Sequence, residues 1–224
     1  MPDYTRFAIY YLPPEGALAT FGAQWLGWDI ERGQTHLQFD VEGLDEIVAT
    51  PKKYGFHGTL KPPFRLATGT TRAELEQAIA ALAATLAPVE FEALSVAKLG
   101  RFLALIPEGD TTALADLAAQ LVTKLDRFRA PPSQPELERR RAVALTPQQE
   151  ANLVTWGYPY VMDAFRFHLT LSGKLSRAQL DIAEKALQHR LPPLPVPFKI
   201  SQIALVAERD DGYFETLRRF ELST

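Results

Sequence analysis

The sequence predicts a bilobal α+β fold in which two similar halves, each a mainly antiparallel sheet with flanking helices, enclose a central cleft. Strand-like and helix-like segments follow one another in the same style in both halves. A pentapeptide, Phe56-His57-Gly58-Thr59-Leu60, returns as Phe167-His168-Leu169-Thr170-Leu171. The two histidines, at 57 and 168, stand about half the 224-residue chain apart, the separation that a duplicated architecture with one equivalent site per half would give.

Each element has a local reason. Thr5 to Leu12 is rich in β-branched and aromatic residues and stops at Pro13-Pro14, which reads as a strand. Glu15 to Trp28 has helical spacing and ends near Gly27, whereas the polar stretch from Asp29 to Lys53 carries turn signals at Gly33 and Gly43. Phe56 to Phe64 reads as a short strand ended by Pro62 and Pro63. Thr71 to Leu86 opens with a threonine cap followed by Glu74 and is strongly periodic, a helix. Phe91 to Leu99 and Arg101 to Ile106 form a hairpin about Gly100, and Thr112 to Phe128 is a second periodic helix. Ala130 to Pro135 (APPSQP) is the predicted joint between lobe 1, residues 1–129, and lobe 2, residues 136–224, within a single domain whose lobes can exchange strands. Beyond it come helices over Pro135 to Arg141 and Pro147 to Trp156, a strand over Phe165 to Leu171, and a helix over Arg177 to Gln188. A final hairpin joins Ile200–Ala207 to Tyr213–Phe220 through Arg209-Asp210-Asp211-Gly212.

Composition narrows the function. With 46% hydrophobic and 23% charged residues, the chain can bury a core and has no bias towards disorder. A net charge of −3 is not the broad basic surface that long nucleic acid requires, so any phosphate ligand is expected to be small or locally gripped. The absence of cysteine removes disulfides and thiolate chemistry. The N-terminal segment lacks the form of a signal peptide, and no apolar run is long enough to cross a membrane. A soluble cytoplasmic protein without membrane association is expected.

The pentapeptides carry the chemistry. In a strand, residues two apart share a face, so His57, Thr59 and Lys61 are expected to project together, as are Arg166, His168, Thr170 and Ser172. The residue between histidine and threonine, Gly58 or Leu169, then faces the scaffold and is free to differ. One neutral and one protonated imidazole can act as base and acid in one step. Thr59 and Thr170 can donate to phosphate oxygens, with Lys61 and Arg166 offsetting charge. These parts suffice to hydrolyse a phosphodiester without a metal or cofactor. A single strand histidine is more often structural, but two copies at matched spacing in a chain with four histidines favour function.

These residues resemble the two-histidine phosphoesterase superfamily, whose signature is a pair of His-x-Thr/Ser motifs in pseudo-symmetric lobes. Tyr54 to Leu66 (YGFHGTLKPPFRL), Trp25 to Asp29 (WLGWD) and Trp156 to Gly173 (WGYPYVMDAFRFHLTLSG) look more closely like its branch associated with phosphonate metabolism. The resemblance implies metal-independent opening of a small cyclic ribose or nucleotide phosphate, with His57 and His168 as acid and base. Within the same superfamily the alternatives are RNA-end 2′,3′-cyclic phosphodiesterase or 2′-5′ ligase-like activity. A non-catalytic nucleotide- or phosphate-binding protein is the alternative from another class.

Other features weigh less. His36 and His189 have no ligand pattern around them, and there is neither a Walker loop nor a dinucleotide fingerprint. Arg139-Arg140-Arg141, after Glu136 and Glu138, reads as a solvated helix face. Tyr10 and Tyr54 are further candidates for substrate contact by stacking on a base or ribose.

Overall fold

The periodic segments of the sequence become helices and strands in a computed structural model that describes residues 4–223. In chain order these are β1 (Arg6–Tyr11), α1 (Ala17–Leu26), β2 (Trp28–Asp29), β3 (Gln34–Thr35), α2 (Leu44–Val48), β4 (Gly58–Phe64), α3 (Arg72–Ala83), β5 (Val89–Phe91), β6 (Ala93–Leu99), β7 (Phe102–Glu108) and α4 (Thr112–Lys124). There follow α5 (Gln134–Arg141), α6 (Pro147–Trp156), β8 (Leu169–Thr170), α7 (Arg177–Arg190), β9 (Phe198–Ile200), β10 (Gln202–Glu208) and β11 (Phe214–Glu221). The fold class is α+β with antiparallel pairing throughout.

Capping explains the helix starts. Thr71 accepts from the Glu74 amide while Glu74 returns a bond to the Thr71 amide, and Thr146 and Ser176 open α6 and α7 in the same way with Gln149 and Gln179. Gly27 ends α1 at φ 74°, a conformation that costs a side-chain-bearing residue more than glycine.

Seven strands form one sheet in the order β11-β10-β1-β4-β8-β7-β6. Strands from the second half of the chain, β10 and β11, extend the sheet beside β1, while β6 and β7 from the first half lie beyond β8. The residues leading into APPSQP are tied back to the segment after β4, since the Ala130 amide donates to Arg65 O and the Ala67 amide to Phe128 O, both at 2.8 Å.

Both sheet faces are apolar near β1. Phe7, Ile9 and Tyr11 join the large core beneath the helices, and Ala8, Tyr10 and Leu12 join a smaller cluster with Trp28, Val206 and Phe214. Alternation along one strand thus separates the helix-covered face from the face that carries the site.

Two sequence expectations need correction. β4 runs on through Pro62 and Pro63 instead of ending there. Its only pairing with β8 is at Gly58, so the prolines sit where no neighbour on that side needs their missing N–H, next to a shift in register with β1. The strand expected over Phe165 to Leu171 forms only at Leu169–Thr170, after a short 3-10 turn at Met162–Ala164.

Candidate active site

The two repeated motifs meet in the middle of the sheet, where Gly58 of β4 pairs with Leu169 of β8. Antiparallel register about that pair sets His57 opposite Thr170 and Thr59 opposite His168. The pairing is locally two-fold, with each histidine across the strand pair from the threonine position of the other motif.

Both imidazoles are held alike. His57 Nδ1 lies 2.8 Å from the Gly55 carbonyl oxygen, and His168 Nδ1 lies 2.8 Å from that of Arg166, in each case two residues upstream. A carbonyl can only accept, so each Nδ1 carries a proton and, in the neutral ring, Nε2 is left bare. Thr59 Oγ1 is 3.2 Å from His57 Nε2, within reach to donate to it. Tyr10 stacks on His57 with ring centroids 3.8 Å apart and 19° between planes, which fixes the imidazole from its face.

The surroundings keep the His57 imidazole neutral. Burial lowers its pKa to about 4; the Gly55 carbonyl opposes this, and the positive form of His168 adds to it. His57 is therefore neutral at physiological pH. Tyr10 is buried, and its phenol is pushed well above its ordinary range chiefly by that burial, so it remains protonated. Tyr54 lies 6.4 Å from His57 between ring centroids. Tyr158 carries the Arg140 guanidinium 4.5 Å from its ring centroid, and its phenol is raised by burial, with Arg140 opposing.

Of the residues expected here, His57, Thr59, His168, Thr170, Tyr10 and Tyr54 come together. Lys61 does not. β1 pairs Tyr10 with Thr59 but Ile9 with Lys61, so Leu60 is an extra residue and the β-bulge reverses the alternation. Lys61 consequently enters the helix-covered core, only 2% exposed, where Nζ donates to Val122 O of α4 at 3.0 Å. Burial lowers its pKa to about 8. Arg166 also departs from expectation, because it precedes β8 and is not in a strand. Its Nη1 donates back to the carbonyls of Asp163 and Phe165, and it lines a pocket with Leu114 and Asp116. Ser172 is likewise buried, its Oγ accepting from the Leu103 amide.

Gly58 is not free to differ from Leu169. A Cβ on it would fall 2.3 Å from Phe167 Cζ and 2.4 Å from Cε2, so the aromatic ring of the second motif occupies the space beside the first. Arg139 and Arg141 are exposed, as a solvated helix face requires, and Arg141 pairs with Glu150, whereas Arg140 is half-buried over the Tyr158 ring; Arg139 and Arg140 also line an open pocket with Arg6 and Lys53.

Among the described residues no group of three or more His, Asp or Glu side chains is placed to hold a metal ion. Among the same residues no helix is long and apolar enough to cross a membrane.

An antiparallel α+β sheet that joins two His-x-Thr motifs across one strand pair defines the class of this protein. The chain belongs to the family described as Protein of unknown function (DUF1045), whose model matches residues 59–215. It is 35% identical over 219 residues to ribose 1,5-bisphosphate phosphokinase PhnN of Janthinobacterium sp. (strain Marseille), covering 93% of this chain and 48% of that protein. It is 33% identical over 180 residues to the protein of the same name from Laribacter hongkongensis (strain HLHK9), covering 78% and 42%. The chain thus spans about half the length of the curated relatives it matches. Among solved structures, E. coli LigT complexed with 3′-AMP is 16% identical, with 99% of this chain and 100% of that one covered at a TM-score of 0.44.

Proposed function

We propose that the chain is a metal-independent phosphodiesterase that opens a small cyclic phosphodiester, with His57 as general base and His168 as general acid. The observation that carries this reading is the pair of imidazoles brought together where Gly58 pairs with Leu169, each with its Nδ1–H held by the carbonyl two residues upstream, which leaves Nε2 as the nitrogen free for proton transfer. Neutral His57 Nε2 takes a proton from water as its oxygen bonds to phosphorus. The ring P–O bond breaks, and protonated His168 delivers its Nε2 proton to the departing alkoxide. One P–O bond forms, one breaks, and one water is consumed. Thr59 and Thr170 donate to the non-bridging oxygens.

The resemblance to two-histidine phosphoesterases supports the reaction class, and its phosphonate-associated branch supports a cyclic ribose phosphate as the substrate type. The phosphokinase name belongs to proteins about twice as long. The sequence here contains no P-loop, and the paired imidazoles favour hydrolysis.

His57→Ala and His168→Ala should each cost on the order of 10² to 10⁴ in kcat with a cyclic phosphodiester, while circular dichroism is unchanged. Because the base must be neutral, kcat/KM rises with pH as His57 loses its proton, and that limb should lie near pH 4. Undiminished turnover in either variant would sink the paired mechanism. An acid limb near the ordinary imidazole value of about 6.5 would take the base role from His57.

A further inference from the structure

We infer that the site takes a substrate with a second phosphate, a phosphomonoester at the far end of the sugar from the cyclic diester. This inference rests on the hydrolase reading above and concerns a separate pocket. Beside the histidines lies an open pocket of about 630 Å³, within the range of small-ligand sites, lined by Arg6, Lys53, Arg65, Arg139 and Arg140. Only two carboxylates, Glu136 and Glu208, share that lining, so an excess of three positive charges gathers there in a chain whose net charge is −3.

The internal pairing shows which charge is available. Arg6 is engaged twice at 2.6 Å by Glu208, and Arg65 meets Glu136 at 2.8 Å. Lys53, Arg139 and Arg140 have no carboxylate within 4.0 Å among the described residues. Two of them rest on aromatic rings instead, Lys53 Nζ 5.0 Å from the Tyr54 centroid and the Arg140 guanidinium 4.5 Å from that of Tyr158. An aromatic face orients a cation without neutralising it. Like charges gathered at this density repel one another, so a bound dianion stabilises the pocket, and arginine's planar fork matches phosphate oxygens.

Continuity with the reacting centre fixes the ligand as one molecule. Tyr54 lines the basic pocket, and its ring stands 6.4 Å from that of His57. Arg6 lies on the same face of β1 as Tyr10, the residue stacked on His57. A sugar passing beside Tyr54 would set a cyclic phosphate at the imidazoles and a terminal phosphate among the free cations.

The test compares a nucleoside 2′,3′-cyclic phosphate with its 5′-phosphorylated form. The 5′-phosphate should raise kcat/KM at least tenfold. A variant combining Lys53→Gln, Arg139→Gln and Arg140→Gln should lose that preference and hydrolyse the unphosphorylated compound at the wild-type rate. Equal kcat/KM for the two substrates in the wild type would overturn the inference. A dinucleotide with the same cyclic end, presenting a diester in place of the 5′-monoester, should be the poorer substrate. If it equals or exceeds the monoester, the pocket is an RNA groove and the inference fails. Calorimetry separates this from the hydrolase reading: ribose 5-phosphate should bind the wild type, bind the triple variant at least tenfold more weakly, and outcompete ribose. No such binding would overturn the second-phosphate site even if cyclic substrates were cleaved. Binding without cleavage would leave the site standing and remove the hydrolase.

Discussion

At the scale of single residues, the site depends on a packing fact as much as on its imidazoles. Phe167, the residue before His168, fills the space that a side chain at position 58 would need, and position 58 is one half of the pair on which the two motifs meet. Glycine therefore lets the second motif approach the first. Gly58→Ala should cost about 1–3 kcal/mol by overpacking, read from denaturant unfolding, and should lower activity by parting β4 from β8. Phe167→Leu in the same chain should recover part of both losses, because it removes the Cζ and Cε2 atoms that clash. A Gly58→Ala protein of wild-type stability and activity would show that the strands can yield at no cost.

At the scale of elements, the helices and most strands were legible because their signals are local. Thr71 with Glu74 and Ser176 with Gln179 cap helices where the sequence places them, and Gly100 turns the β6–β7 hairpin. That the segments carrying His57, Thr59, His168 and Thr170 meet was legible from their repetition. Lys61 was not, because the bulge at Leu60 depends on how β4 registers with β1, a neighbour about fifty residues away in sequence. Arg166 was misplaced because alternation was extended beyond the two residues of β8. The basic pocket is not legible in the sequence because Arg6, Lys53, Arg65, Arg139 and Arg140 come from separate segments, and only the fold collects them. The displaced lysine is itself testable. Lys61→Met should leave turnover of a cyclic phosphodiester unchanged; a large loss would return Lys61 to the cleft. Its depressed pKa adds a stability signature with a definite sign. Between about pH 8 and 10.5 the unfolded chain holds the Lys61 proton and the folded one does not, so this residue's contribution to stability grows as pH rises through that window. Relative to Lys61→Met, the wild type should gain on the order of 3 kcal/mol across it, and a flat difference would refute the burial.

At the scale of the whole molecule, the order of strands decides how the chain can be divided. A duplicated sequence invites the view that each half folds by itself and that APPSQP is a linker. The sheet is interleaved instead: β10 and β11 complete the edge beside β1, and β6 and β7 reach the histidine strands only through β8. A chain cut between Pro132 and Ser133 would leave the first fragment with β1 and β4 paired to each other, but with β6 and β7 cut off from them, since β8 lies between. The second fragment would keep β10 and β11 without β1, and a two-residue β8 without either partner. Each fragment would also expose apolar core residues, Ile9, Leu60 and Leu105 in the first and Leu169, Leu171 and Leu205 in the second, all at most 1% exposed in the intact protein. Paired backbone and buried surface are lost together, so neither fragment retains enough burial to offset its conformational entropy. Expressed separately, the fragments should show no cooperative thermal transition; expressed together, they should associate and recover hydrolysis, since both histidine strands are then present and β4 can meet β8. Cooperative unfolding of either fragment alone would mean that the interleaved strands contribute little, and that the two motifs are brought together by docking of finished lobes.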